Sequence, residues 1–122
     1  MANKKILIVE DDPRNIFSLE LYFEDRDVDI LTAENGRIAL DILSDDPGID
    51  LILMDIMMPE MDGYEAMTEI RKQDKYKDLP IIALTAKAMK EDQQKCLNAG
   101  ANAYLSKPVN IDELELSLDY WL

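Results

Sequence analysis

Leu51-Ile52-Leu53-Met54-Asp55, followed at once by Ile56-Met57-Met58-Pro59-Glu60-Met61-Asp62-Gly63, decides the fold. Four consecutive apolar residues predict a strand buried on both faces, and a carboxylate stands where that strand runs out. Asp is a poor strand former, and an ionised carboxylate in an interior is costly unless something pairs with it. Pro59 and Gly63 hold the segment after Asp55 out of regular structure, with Tyr64, Met67, Ile70 and Arg71 on a helix beyond it.

The same design repeats on either side. Upstream, Ile6-Leu7-Ile8-Val9 is a doubly buried run that also ends in acid, Glu10-Asp11-Asp12. Asp12-Pro13 reads as an N-cap followed by proline at the first helical position, and Ile16, Leu19 and Phe23 continue a helix to about Glu24. Asp29 to Ala33 is shorter and more polar, as an edge strand would be. Ile38, Leu40, Ile42 and Leu43 mark a helix that ends before the turn pair Pro47-Gly48. Downstream, Ile81-Ile82-Ala83-Leu84 ends in Thr85, a helix runs from Ala88 to Ala99 with Gly100 as its cap, and Ala103-Tyr104-Leu105-Ser106 ends in Lys107-Pro108. Ile111, Leu114, Leu118 and Trp121 give a closing helix.

Five strands alternating with five helices predict an α/β domain with a parallel sheet and helices on both faces. With 122 residues and no repeat or linker, residues 1–122 are expected to be one domain. Ligands of open α/β sheets bind beyond the carboxyl ends of the strands. Here those ends carry Glu10-Asp11-Asp12, Asp55, Thr85 and Lys107.

Composition narrows the chemistry. The 26 Asp and Glu against 13 Lys and Arg give a net charge of −13, which disfavours nucleic acid and anionic membranes as direct partners. The absence of His removes His-ligated metals and Ser-His or Cys-His catalysis. Cys96 is single, so no internal disulfide forms, and no apolar run reaches the length of a membrane span. A reducing cytoplasm is the expected compartment. Carboxylates gathered at one point repel one another and are relieved by a hard divalent cation, of which Mg²⁺ suits a site that leaves positions open for phosphate oxygens. Lys107 and Thr85 would complete a pocket for a phosphoryl group, and carboxylates do form aspartyl-phosphates, with Asp55 the best-placed acceptor.

Four segments in order, Ile6 to Asp11, Leu53 to Gly63, Leu84-Thr85-Ala86 and Tyr104 to Pro108, resemble a response-regulator receiver domain of two-component phosphorelay signalling. The resemblance runs end to end and implies a flavodoxin-like fold with strand order 2-1-3-4-5. It implies that Asp55 accepts a phosphoryl group from a phosphohistidine of a sensor histidine kinase or a histidine phosphotransfer protein. Asp11, Asp55 and the backbone carbonyl of Met57 would hold Mg²⁺, with Glu10 acting through water and Asp12 a possible extra acid. Thr85 and Tyr104 are the implied switch pair, and Lys107 would pair with a phosphoryl oxygen beside a cis Lys107-Pro108 bond. Met57 and Lys87 occupy the positions that tune the lifetime of the phosphorylated state, and apolar Met57 implies slow to moderate self-dephosphorylation. A downstream protein would read the surface made by the fourth helix, fifth strand and fifth helix.

A stand-alone single-domain regulator is the expected setting, with a receiver module of a hybrid sensor kinase as the alternative. A multiple-turnover enzyme is not expected. A Mg²⁺-dependent aspartyl-phosphate phosphohydrolase of the haloacid-dehalogenase type would need a second Asp two residues past the nucleophile, where Met57 stands.

Overall fold

The computed structural model of the chain describes residues 4–45, 48–58, 61–86 and 89–122. Strand β1 (Lys4–Val9) leads to α1 (Pro13–Phe23), β2 (Val28–Ala33), α2 (Gly36–Asp45) and β3 (Leu51–Asp55). Then come α3 (Gly63–Arg71), a 3₁₀ turn (Asp74–Tyr76), β4 (Ile81–Thr85), α4 (Lys90–Ala99), β5 (Ala103–Ser106) and α5 (Ile111–Trp121). All strand pairs are parallel and the order is β2-β1-β3-β4-β5, as the resemblance implies. The polar strand β2 lies at an edge as expected, but it is not short: at six residues it matches β1 and exceeds the other strands.

Strand alternation sorts the apolar residues into two layers. Ile6 and Ile8 of β1, Leu51 and Leu53 of β3, and Ile82 and Leu84 of β4 pack against Leu19 and Phe23 of α1 and Leu114 and Leu118 of α5. Leu7, Val9, Ile52, Met54, Ile81 and Ala83 face the other way, onto α2, α3 and α4. The central strands β3 and β4 are therefore buried at every residue, which is why their sequences are continuous apolar runs rather than alternating ones.

The helix starts are built from short polar side chains. Asp12 caps α1 by accepting from the Arg14 N–H, Asp62 caps α3 through the Glu65 N–H, and Asn110 caps α5 through the Glu113 N–H. Helix α4 differs, because Met89 occupies its N-cap position and makes no side-chain hydrogen bond there.

One other local expectation changes, and two further features emerge. Gly63 is not outside regular structure but is the first residue of α3. A Cβ there would lie 2.5 Å from the Asp55 carbonyl oxygen and 2.8 Å from Ile56 Cα, so only glycine lets the helix begin directly against the strand end it has just left. In α2 the core-facing residues are Ala39 and Leu43, while Ile38 turns toward solvent. The 3₁₀ turn was not foreseen, and buried Tyr76 within it donates its hydroxyl hydrogen to the Leu43 carbonyl. Helix α4 is described from Lys90, and Ala88 lies outside the described residues.

Candidate phosphoryl-acceptor site

Glu10, Asp55 and Lys107 meet at the carboxyl end of the sheet. The Lys107 ammonium donates to Asp55 Oδ1 at 2.7 Å and to Glu10 Oε1 at 3.0 Å. Both acids are almost wholly buried, Glu10 at 1% and Asp55 at 2% exposure. Their convergence follows from strand alternation. Glu10 continues the face of Ile6 and Ile8, Asp55 that of Leu51 and Leu53, and Lys107 that of Leu105, so all three side chains belong to the α1/α5 side. The backbone locks the positions: the Glu10 N–H donates to the Ala33 carbonyl, the Ile56 N–H to Leu84, and the Lys107 N–H to Thr85 at 2.8 Å. The Lys107-Pro108 peptide bond is cis.

Two buried carboxylates share one ammonium, and the imbalance shows in their acidities. Burial, reinforced by the neighbouring Glu10, pushes the Asp55 carboxyl up from 3.8 to about 6 despite Lys107. Burial also works against Glu10. Hydrogen bonds from Lys107, from Asp55 and from the Asp12 N–H outweigh it and hold Glu10 below the ordinary range. The Lys107 ammonium is likewise opposed by burial, but its two carboxylate partners raise its pKa.

Oxygen atoms of Glu10, Asp11 and Asp55 all lie within 4.8 Å of one another. Asp11 is exposed and completes the group from the solvent side. Such an all-oxygen donor set, with more negative charge than Lys107 neutralises, fits a hard divalent cation open to water and phosphate. Asp12 faces elsewhere: its carboxylate caps α1 and pairs with Arg14 Nη2 at 3.0 Å, and that guanidinium holds it below its ordinary pKa. The Met57 N–H approaches Asp55 Oδ1 at 3.4 Å, while its side chain is 63% exposed. Lys87 lies outside the described residues. A cleft of about 180 Å³ opens beside Glu10 and Lys107, with Asn15, Ser18, Leu19 and Pro108 among its walls.

Thr85 and Tyr104 occupy the opposite side. Thr85 is the last residue of β4, 2% exposed, and shares its face with Ala83. Tyr104 pairs with Ala83 across β4 and β5 and packs against the α2/α3/α4 layer. Its hydroxyl donates to Gln93 Oε1 of α4 at 2.9 Å. Gln93 was not anticipated, because nothing in the polar sequence of α4 distinguishes the one amide that meets a tyrosine 11 residues away.

An open parallel α/β sheet with a buried aspartate, an acidic cluster and a lysine at its carboxyl edge defines a flavodoxin-like domain with an oxygen-rich cluster that could hold a metal ion. The family model of the response regulator receiver domain matches residues 6–119, and the chain belongs to that family. It is thus a signalling module of phosphorelay systems.

A 14.6 kDa protein of Leptolyngbya boryana is 42% identical over 95% of this chain and 86% of its own length. The sensor histidine kinase GacS of Pseudomonas protegens is 34% identical over 96% of this chain, which spans only 13% of that kinase. Among solved structures, the receiver domain of the sensor histidine kinase PA1611 of Pseudomonas aeruginosa has a TM-score of 0.89 at 39% identity, covering 98% of each chain, and holds a magnesium ion in its active-site cleft. The receiver domain of Saccharomyces cerevisiae Ssk1, solved with the histidine phosphotransfer protein Ypd1, has a TM-score of 0.90 at 32% identity, covering 98% of this chain and 89% of that one.

Proposed function

We propose that Asp55 accepts a phosphoryl group from a phosphohistidine of a sensor histidine kinase or histidine phosphotransfer protein. An Asp55 carboxylate oxygen attacks phosphorus, the phosphorus–nitrogen bond of the donor breaks, and the imidazole leaves with the electron pair. The observation that carries this reading is the Asp55 carboxylate, 2% exposed and held 2.7 Å from the Lys107 ammonium. A carboxylate needed only for structure gains nothing from a pKa raised to about 6, whereas a reacting one gains position and partial desolvation.

Asp11, Asp55 and the Met57 backbone carbonyl would hold Mg²⁺, with Glu10 reaching it through water. When bound, Mg²⁺ supplies charge neutralisation and alignment of phosphoryl oxygens. Lys107, already directed at Asp55, turns to a phosphoryl oxygen once Asp55 is converted to its acyl phosphate. Thr85 donates its hydroxyl hydrogen to another, and Tyr104 moves inward behind it. The new charge thereby biases the surface of α4, β5 and α5 that a downstream protein reads. The Ypd1 complex of a relative at 32% identity supports a phosphotransfer protein as donor, and the magnesium-bound relative supports the ion.

The residues work as one receiver unit in the cytoplasm, on a stoichiometric rather than a turnover cycle. No helix among the described residues is long and apolar enough to cross a membrane. A stand-alone regulator is supported by the relative of nearly matching length, and the GacS match supports a receiver module within a hybrid kinase. The reaction at Asp55 is the same in both settings. Met57 offers an attacking water no hydrogen bond from its thioether, so self-dephosphorylation is slow to moderate; loss of the label within seconds in Mg²⁺ would contradict this.

The test is phosphotransfer from a panel of phosphorylated histidine kinases and phosphotransfer proteins, with Mg²⁺ or with chelator. One label per chain, dependent on Mg²⁺ and absent in Asp55→Asn, is expected. Catalytic release of phosphate from small phosphoesters would instead favour a hydrolase.

A further inference from the structure

The two ends of α4 are held by different means. At the carboxyl end the Arg71 guanidinium donates twice to the Gly100 carbonyl, at 3.0 and 2.8 Å, and also reaches Asn102 Oδ1 and the Tyr76 carbonyl. Gly100 has φ +123°, and a Cβ there would meet Arg71 Cγ at 2.7 Å, so the clasp and the glycine form one fixed joint. Just before it, Cys96 is the single fully buried residue of the helix.

At the amino end no such joint is seen among the described residues. Its N-cap residue is Met89, which makes no side-chain capping bond, while α1, α3 and α5 each have a side-chain cap. One bond that joins the first turn of α4 to the sheet is that of Gln93, whose side-chain oxygen accepts from the Tyr104 hydroxyl at 2.9 Å. Tyr104 sits on β5 in register with Ala83, on the face that Ala83 shares with Thr85.

We propose that Gln93 is the positioning residue of the switch: it holds Tyr104, and with it the first turn of α4, in the resting arrangement that phosphorylation must undo. This rests on the reading of Asp55 as phosphoryl acceptor. When Tyr104 moves toward Thr85 it forfeits the bond to Gln93, and the amino end of α4 loses that tie while the Arg71 joint keeps the helix seated. A neutral hydrogen bond across such a pair is too weak to determine the fold but strong enough to set a two-state ratio.

Because the bond stabilises only the resting form, its removal tightens any ligand of the switched form. The probe is beryllofluoride with Mg²⁺, a phosphoryl mimic, titrated against the full chain. Gln93→Leu, which keeps volume but loses the acceptor, is expected to lower the half-saturating concentration about five-fold, the equivalent of about 1 kcal/mol. Gln93→Glu keeps an acceptor and should restore the wild-type value. Tyr104→Phe removes the same bond, so the double variant with Gln93→Leu should gain no more than either alone.

If Leu is poorly accommodated, Gln93→Ala makes the same deletion without added bulk. Unchanged or weaker binding in both Gln93→Leu and Gln93→Ala, or effects that add to those of Tyr104→Phe, would overturn the proposal. Failure of the wild type to bind beryllofluoride, or binding that survives Asp55→Asn, would instead overturn the reading of Asp55.

Discussion

Helices α3 and α4 cover the same face of the sheet, yet they are seated in opposite ways. Helix α3 buries Ala66, Met67 and Ile70 completely, starts on an Asp62 cap and presses its first residue against the end of β3. Helix α4 buries only Cys96, lacks a side-chain cap and is joined to its surroundings by polar bonds at its two ends. The first arrangement fixes Asp55 through the β3–α3 junction. The second leaves an element whose position a change of a few kcal/mol can shift, which is what a readout surface requires. On the proposed reading, the phosphoryl chemistry and its readout lie on differently anchored parts of one sheet edge, with Glu10, Asp55 and Lys107 on the α1/α5 side and Thr85 and Tyr104 on the α4 side.

The largest expected effect breaks the stronger side. Ile70→Ala removes fully buried methyl groups between α3 and the sheet and should cost about 2–5 kcal/mol in denaturant unfolding. Leu97→Ala on α4, where the side chain is already 40% exposed, should cost under about 1 kcal/mol. Equal losses would erase the contrast between the helices.

Next comes the joint. Arg71→Ala strips charge-assisted bonds from the Gly100 and Tyr76 carbonyls and should cost about 2–3 kcal/mol, with amide exchange rising at the carboxyl end of α4.

The acid cluster offers a third test, by pH. The folded chain holds a proton on Asp55 up to about pH 6, whereas the unfolded chain releases it near 3.8. Between those values the folded state binds more protons, so stability without metal should rise as pH falls from above 6 toward 4.5, by roughly 1–2 kcal/mol. Glu10 opposes this only below its ordinary 4.5, where its depressed pKa makes the folded state bind fewer protons. Asp55→Asn should flatten the slope. Mg²⁺ competes with the Asp55 proton, so its affinity should weaken as pH drops through 6.

The smallest effect sharpens the weaker side. Met89→Asp supplies the missing cap of α4 and should stabilise the chain by about 0.5–1 kcal/mol.

Much of this was legible in the chain itself. The apolar runs at Ile6, Leu51 and Ile81 announce strands buried on both faces, and the residues that end them, Glu10, Asp55 and Thr85, gather at one edge because parallel strands share a carboxyl end, with Glu10 and Asp55 on one face and Thr85 on the other. The N-cap at Asp12 carries a local signal of the same kind, whereas the cis bond before Pro108 was implied by the family resemblance alone. Less legible were features set by distance in space. Gly63 reads as a loop residue until Asp55 and Ile56 are seen pressed against it. Arg71 reads as the polar end of a helix, since its partners are mostly backbone carbonyls that no side-chain pattern reveals. The Tyr104–Gln93 bond is likewise invisible, because a strand and a helix must first be packed to bring the two groups together.

The most direct test of the central claim is the location of the phosphoryl group. After phosphotransfer in Mg²⁺, borohydride reduction converts an aspartyl-phosphate to homoserine, and peptide mass mapping finds the converted residue. Conversion at Asp55 alone, absent from Asp55→Asn, is the predicted result. Conversion at Asp11 or Asp12 in the wild type, or a label on Thr85 that resists reduction, would contradict it.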